Sequence, residues 1–136
     1  MNPLIYHNPE CGTSRNALAM IEASGETPRI VEYLADPPSR EHLLALLRDM
    51  AMPPRELLRR KGTPYDELGL DDPALSDEQL VDAMLAHPIL INRPIVVTDK
   101  GVRLCRPSEK VLGLLARPVK TFTKEDGEAV TFSKDA

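Results

Sequence analysis

The sequence is poor in aromatic residues, which make up 4% of its 136 positions and include no tryptophan. Leu, Ile, Val, Ala and Met must therefore form the core, and the 42% hydrophobic content is enough for one ordinary domain. No apolar run is long enough to cross a bilayer. Residues 1–7 lack the basic start and long apolar run of a secretory signal. We therefore expect a soluble cytoplasmic protein that does not bind membranes.

An excess of basic residues is also lacking, because the formal net charge is -4 at pH 7. This argues against binding of nucleic acid through bulk charge, which requires a basic face. The 17 Lys and Arg residues still allow a local positive pocket. Only two cysteines, Cys11 and Cys105, are present. A structural disulfide is not expected in a reducing compartment, and no Cys/His spacing typical of a zinc site occurs.

The hydrophobic pattern predicts a βαβ unit, a helical stretch and a ββα unit. This order resembles an α/β thioredoxin-like fold, and we expect it to form a single domain over residues 1–136. The helical insertion between the halves is expected at about 39–87, and a polar, loosely packed tail at about 120–136. The predicted strands are 4–6, 30–34, 95–98 and 102–105. The first predicted helix has Ser14 as its N-cap and ends near Ser24. The others are a helix starting at Ser39, a short one from Pro53, one that starts with a capping box at 76–79 and ends at Pro88, and one over 107–115.

Cys11 lies between the first predicted strand and the first predicted helix. A helix N-terminus offers unpaired N–H groups and partial positive charge, which favour both a thiolate and a bound oxyanion. Thr13 and Ser14 add hydroxyl groups nearby, while His7 and Arg15 can add positive charge. These features favour a nucleophilic role for Cys11. The alternative is that Cys11 is a small buried apolar residue, although its polar neighbours are a poor core environment.

Two familiar cysteine motifs are missing around Cys11. Ser14 stands where a Cys-x-x-Cys motif would have its second thiol, so the loop holds no dithiol. Ala17 stands where the Cys-x5-Arg loop of low-molecular-weight and tyrosine phosphatases has arginine. Cys105 follows Leu104 in a predicted strand, and for that cysteine we favour a buried structural role.

Two arginines precede prolines at predicted turns, Arg93 before Pro94 and Arg106 before Pro107. Proline restricts the residue before it, so these arginines are held in defined directions. A guanidinium group donates a fixed fork of hydrogen bonds that suits a tetrahedral oxyanion. Each arginine could also be an ordinary surface charge. Because Pro94 lies directly before a strand, where thioredoxin-like folds have a cis-proline, Pro94 is a candidate for a cis peptide bond.

These segments together resemble the glutaredoxin-dependent arsenate reductases. The resemblance covers most of the chain, from Leu4 to about Leu115. It is carried by residues 6–16 (YHNPECGTSRN), 57–59 (LLR), 65–70 (YDELGL), 87–97 (HPILINRPIVV) and 103–109 (RLCRPSE), with a weaker likeness at 122–128 (FTKEDGE).

The resemblance implies a role for six residues. Cys11 would be the nucleophile, with His7 and Ser14 helping to keep it as a thiolate. Arg59, Arg93 and Arg106 would bind arsenate and stabilise the adduct, although the neighbouring Arg60 leaves the assignment of Arg59 open. Arsenate, glutathione as co-substrate and glutaredoxin would be the reaction partners. No bound cofactor or metal is implied.

Two other functions remain open from the sequence. One is a thiol oxidoreductase of the same scaffold that acts on another electrophile which glutathione can resolve. The other is a thioredoxin-like regulator that binds RNA polymerase. Ser14 argues against the Cys-x-x-Cys redox switch of the better known regulators, and the Arg93–Arg106 pair favours an oxyanion site.

Overall fold

A computed structural model describes residues 2–117 and 121–131. The chain forms two compact units, the first from residues 1–32 and 93–136 and the second from residues 33–92. The second unit lies between the two halves of the first in sequence, where the insertion was predicted at about 39–87. Among the described helices, none combines the length and the apolar character needed to cross a membrane.

The first unit is built on a four-stranded sheet with the strand order β2-β1-β3-β4. Strand β1 pairs in parallel with β2 and antiparallel with β3, which pairs antiparallel with β4. The central Ile5 lies between Ile30 and Val96 in this register. The strands are β1 (Leu4–His7), β2 (Arg29–Glu32), β3 (Ile95–Thr98) and β4 (Gly101–Leu104).

Helix α1 (Gly12–Ala23) connects β1 to β2 and buries Ala17, Met20 and Ile21. These side chains join one apolar cluster with residues of the sheet and of the segment after β4. The parallel β1–α1–β2 unit followed by the antiparallel β3–β4 pair confirms the predicted thioredoxin-like fold. The other members of the cluster are Ile5, Val96, Cys105, Val111, Leu112, Leu114 and Leu115.

The last predicted helix is a 3-10 helix over Ser108–Leu114 and not an α-helix. The Arg103 guanidinium donates to the Lys110 carbonyl at 3.3 Å, so that carbonyl has a partner outside the helix. A Cβ atom at Gly113 would lie 2.7 Å from Arg103 Nη1. A larger residue at this position would displace the Arg103 guanidinium from its place against the helix backbone.

The described part of the polar tail, residues 121–131, forms regular structure. Strands β5 (Thr121–Thr123) and β6 (Ala129–Thr131) form an antiparallel hairpin. Phe122 packs against the apolar cluster of the first unit. Residues 118–120 and 132–136 lie outside the described residues.

The second unit is helical and was predicted from its capping signals. Ser39 Oγ accepts from the His42 N–H at 3.1 Å and so caps α2 (Arg40–Asp49). Ser76 and Gln79 form the predicted capping box at the start of α4. The remaining helices are α3 (Pro54–Leu57), α4 (Asp77–Ala86) and a 3-10 helix over Pro88–Leu90.

Candidate active site

Cys11 is the N-cap residue of α1, three positions before the predicted N-cap, Ser14. Ser14 had been expected to cap this helix, but its hydroxyl contacts His7 and Asn8 instead. The Cys11 N–H donates to the Asn8 carbonyl at 3.0 Å, and the Glu10 N–H donates to Asn8 Oδ1 at 2.9 Å. This turn places the Cys11 side chain over the unpaired N–H groups of the helix.

The surroundings of Cys11 lower the pKa of its thiol to about 7. Burial, the largest influence, raises this pKa, since only 8% of the residue is exposed. The Ser14 backbone N–H and the side chains of Arg93 and Arg106 donate to the sulfur and together outweigh burial. A large fraction of Cys11 is therefore ionised at neutral pH, as a nucleophile requires.

Arg93 and Arg106 both reach Cys11. Arg106 Nη1 lies 3.7 Å from Cys11 Sγ and donates to the Arg93 carbonyl at 2.9 Å. Arg93 is buried, with 9% of the residue exposed. The peptide bond before Pro94, which the sequence left as a candidate, is cis, and the bond before Pro107 is also cis.

Ser14 and His7 form a buried pair behind the cysteine. His7 Nδ1 lies 2.6 Å from Ser14 Oγ, which also accepts from the Asn8 N–H at 3.1 Å. Burial lowers the pKa of His7 and Arg15 adds to this effect, while Glu32 opposes it. A neutral imidazole is therefore favoured at neutral pH, so His7 orients Ser14 more than it supplies charge. Ser14 acts on the sulfur through its backbone N–H and not through the predicted hydroxyl.

Arg15 forms a link between the cysteine loop and the hairpin that sequence reasoning missed. Its Nη1 donates to the Pro9 carbonyl at 2.7 Å. Its Nε and Nη2 donate to the two carboxylate oxygens of Glu125 at 2.8 and 3.0 Å. The two residues are 110 positions apart, and the only sequence signal was the weak family likeness at 122–128.

Cys105, the second thiol, is structural, as predicted. It is fully buried in the apolar cluster, and burial raises its pKa to about 12. A thiol of this kind stays protonated and is a poor nucleophile.

Arg59 lies in the second unit, and its role stays a prediction. Its Nε donates to the Lys61 carbonyl at 3.1 Å, and its Nη1 lies 3.4 Å from Asn92 Oδ1. Arg60 contacts Asp66 at 2.7 Å and lies over the Tyr65 ring. Because acidic neighbours already occupy Arg60, Arg59 is the better candidate for an anion.

The first unit therefore combines an ionisable thiol, a helix N-terminus and two guanidinium groups. Such a set can bind a tetrahedral oxyanion and stabilise the charge that gathers when the sulfur attacks it. Within residues 2–117 and 121–131, no group of three His, Cys, Asp or Glu side chains is arranged to hold a metal ion.

Comparisons with known proteins show that the chain is similar to arsenate reductases. The sequence pattern of the ArsC family matches residues 6–114. The arsenate reductase of Rhizobium meliloti (strain 1021) is 60% identical over 96% of this chain and 94% of its own. The arsenate reductase of Escherichia coli (strain K12) is 57% identical over 95% of this chain and 92% of its own. The solved arsenate reductase from Vibrio cholerae is 44% identical with a TM-score of 0.80, over 85% of this chain and 98% of its own. The match spans the cysteine loop and both arginines that reach it, and the chain belongs to the ArsC family.

Proposed function

We propose that this protein is an arsenate reductase that uses Cys11 as its nucleophile and glutathione and glutaredoxin as the source of electrons. The observation that carries the proposal is the contact of Cys11, whose pKa is lowered to about 7, with Arg106 at 3.7 Å. The relatives at 57–60% identity that are named arsenate reductases support arsenate as the oxyanion.

The first step is attack of the Cys11 thiolate on arsenic. An As–S bond forms, one As–O bond breaks, and the oxygen leaves as water after it is protonated. Arg93 and Arg106 hold the remaining oxygens and balance their negative charge, which is the usual contribution of fixed donors at an oxyanion site. Arg59 is proposed as a third ligand of arsenate. His7 holds Ser14 in place, and the Ser14 N–H keeps the sulfur ionised.

The later steps require thiols from outside the chain. Reduction of As(V) to As(III) takes two electrons, which two thiols supply when they form a disulfide. Glutathione replaces a second oxygen on the adduct, which leaves as water. Glutaredoxin then takes the glutathione sulfur as a mixed disulfide and leaves As(III) on Cys11. Water releases arsenite and restores the thiol. No bound cofactor is proposed, and the cytoplasm is the proposed compartment, because its glutathione keeps thiols reduced.

The test is arsenate-dependent NADPH oxidation, coupled through glutathione reductase, glutathione and glutaredoxin. Wild type and Cys11→Ser are compared, with Cys105→Ser as the matched control. We expect turnover in wild type and Cys105→Ser and none in Cys11→Ser. Turnover that survives in Cys11→Ser would overturn the nucleophile. A folded wild type without arsenate turnover would favour a thiol oxidoreductase acting on another electrophile.

A further inference from the structure

One charged pair outside the reacting groups joins the cysteine loop to the C-terminal hairpin. The Arg15 guanidinium donates hydrogen bonds to three acceptors, namely the Pro9 carbonyl at 2.7 Å and both Glu125 carboxylate oxygens at 2.8 and 3.0 Å. Pro9 lies two residues before Cys11. The proposed reaction assigns no role to Arg15 or to Glu125.

Glu125 is held in place by contacts of its own hairpin. Its N–H donates to Asn16 Oδ1 at 3.1 Å. The neighbouring Lys124 contacts Glu109 at 2.6 Å, and Phe122 packs against the apolar cluster. The hairpin thus reaches α1, the segment after β4 and the core, and the Glu125 carboxylate is presented to Arg15 from a supported position.

We propose that Arg15 and Glu125 are positioning residues for Cys11. Their paired hydrogen bonds fix the Pro9 carbonyl and so hold the sulfur against its donors, the Ser14 N–H and the guanidinium groups of Arg93 and Arg106. The expected effect on arsenate turnover rests on the proposed function. The expected effect on the position and alkylation of the Cys11 sulfur is independent of it.

The geometry distinguishes this pair from an ordinary surface ion pair. Exposed pairs contribute little when two flexible side chains merely approach each other. Here the contact is bidentate, which adds directional specificity, and the same guanidinium also holds a backbone carbonyl of the loop. Both side chains are about half exposed, at 43% and 49%, so replacing either leaves the core intact.

Removal of the Glu125 carboxylate changes the pKa of Cys11 in one direction through the loss of charge and in the opposite direction through the loss of position. Loss of a negative charge beside Arg15 would lower the pKa of Cys11 by electrostatics alone. Loss of position would raise it, because the sulfur would move from its donors. The other charged or titratable groups around the cysteine are His7 on β1, Glu10 in the loop, Arg93 before β3 and Arg106 after β4.

The experiment measures Cys11 alkylation by iodoacetamide against pH, followed by intact mass, in a Cys105→Ser background that leaves one thiol. Glu125→Gln removes the charge of the pair, and Arg15→Lys keeps the positive charge but loses the fork. Glu128→Gln is the matched control, since it makes the same change on the same hairpin away from Arg15. Circular dichroism checks that every variant is folded.

We expect the alkylation midpoint of Glu125→Gln and Arg15→Lys to rise by about one pH unit. We also expect kcat for arsenate to fall about tenfold, with KM changed less, because the nucleophile is displaced while Arg93 and Arg106 still bind the anion. Glu128→Gln should match its parent. A midpoint in Glu125→Gln that is unchanged or lower, or an Arg15→Lys variant that behaves as its parent, would overturn the positioning role. A wild type that is inactive with arsenate would refute the proposed function. The alkylation midpoints would still show whether Arg15 and Glu125 position Cys11.

Discussion

Replacing Arg106 by glutamine is expected to raise the pKa of the Cys11 thiol. The guanidinium nitrogen Nη1 lies 3.7 Å from the sulfur and donates toward it. Glutamine keeps a polar side chain but removes the positive charge. The thiolate then loses one of the donors that offset the effect of burial.

The size of the change follows from Coulomb's law. Two unit charges at the observed 3.7 Å interact by about 1 kcal/mol with the screening of water and by several times more in a less polar site. Since one pH unit corresponds to about 1.4 kcal/mol, we expect a rise of about one pH unit. Starting from about 7, this lowers the thiolate fraction near neutral pH from roughly one half to roughly one tenth.

The assay is again the pH dependence of Cys11 alkylation by iodoacetamide in the Cys105→Ser background. The rate near neutral pH should fall about fivefold, whereas the limiting rate at high pH should change little, because only the thiolate reacts. Arg103→Gln is the control, since Arg103 contacts Lys110 and the same charge is lost three residues away.

Two results would refute this reasoning. One is a wild-type midpoint close to that of an ordinary cysteine, which would mean that the donors do not outweigh burial. The other is an equal rise in Arg103→Gln, which would mean that net charge and not the contact at 3.7 Å sets the pKa.

Three further predictions concern the same unit. Cys105→Ser should leave turnover nearly unchanged but lower the free energy of unfolding by about 1 kcal/mol, because a hydroxyl then replaces a fully buried thiol; turnover and urea unfolding measure the two effects, and a large loss of turnover would reveal a missed resolving thiol. Ser14→Ala should cost about 1–3 kcal/mol in the same unfolding assay, because the buried Asn8 N–H loses its acceptor; an unchanged stability would contradict this. Burial lowers the pKa of His7 in the folded state. The neutral His7 side chain therefore contributes its full stabilisation above the pKa of histidine in the unfolded chain, about 6.5, and this contribution is lost as pH falls through the pKa of His7 in the folded protein. The free energy of unfolding measured in urea should therefore fall more steeply below about pH 6.5 in wild type than in His7→Gln. An equal dependence on pH in the two proteins would contradict this.

The parts of the fold that the sequence predicted are those with a local cause. β-Branched residues predicted β3 and its partner β4. The serine cap at Ser39 predicted the start of α2, and the capping box at Ser76 predicted the start of α4. Proline directly after arginine indicated that Arg93 and Arg106 point in defined directions. These signals act within a few residues, so one sequence is enough to detect them.

The features that were missed involve contacts between different elements, which span seven residues for Ser14–His7 and for Arg103–Lys110 and 110 residues for Arg15–Glu125. The start of α1 was placed too late because Ser14 is a good N-cap residue, yet its hydroxyl contacts His7 across the loop. The helix after β4 is a 3-10 helix, and the Arg103 guanidinium on β4 donates to its Lys110 carbonyl. The sequence of the hairpin resembles a polar tail because its charged residues, such as Glu125, pair with distant residues, such as Arg15, only in the folded chain.

The contrast between the two thiols links the site to its need for a partner. Burial raises the pKa of both cysteines, but only Cys11 has donors that reverse the effect, so their pKa values diverge to about 7 and about 12. A disulfide within the chain would require Cys105 to leave the apolar cluster and to ionise, and both changes are opposed by the packing around it. Cys11 can attack arsenate, but reduction of As(V) takes two electrons from a pair of thiols, and Cys105 is held in the apolar cluster. This limit supports the proposal that the remaining thiols come from glutathione and glutaredoxin, because no residue of the chain can take their place.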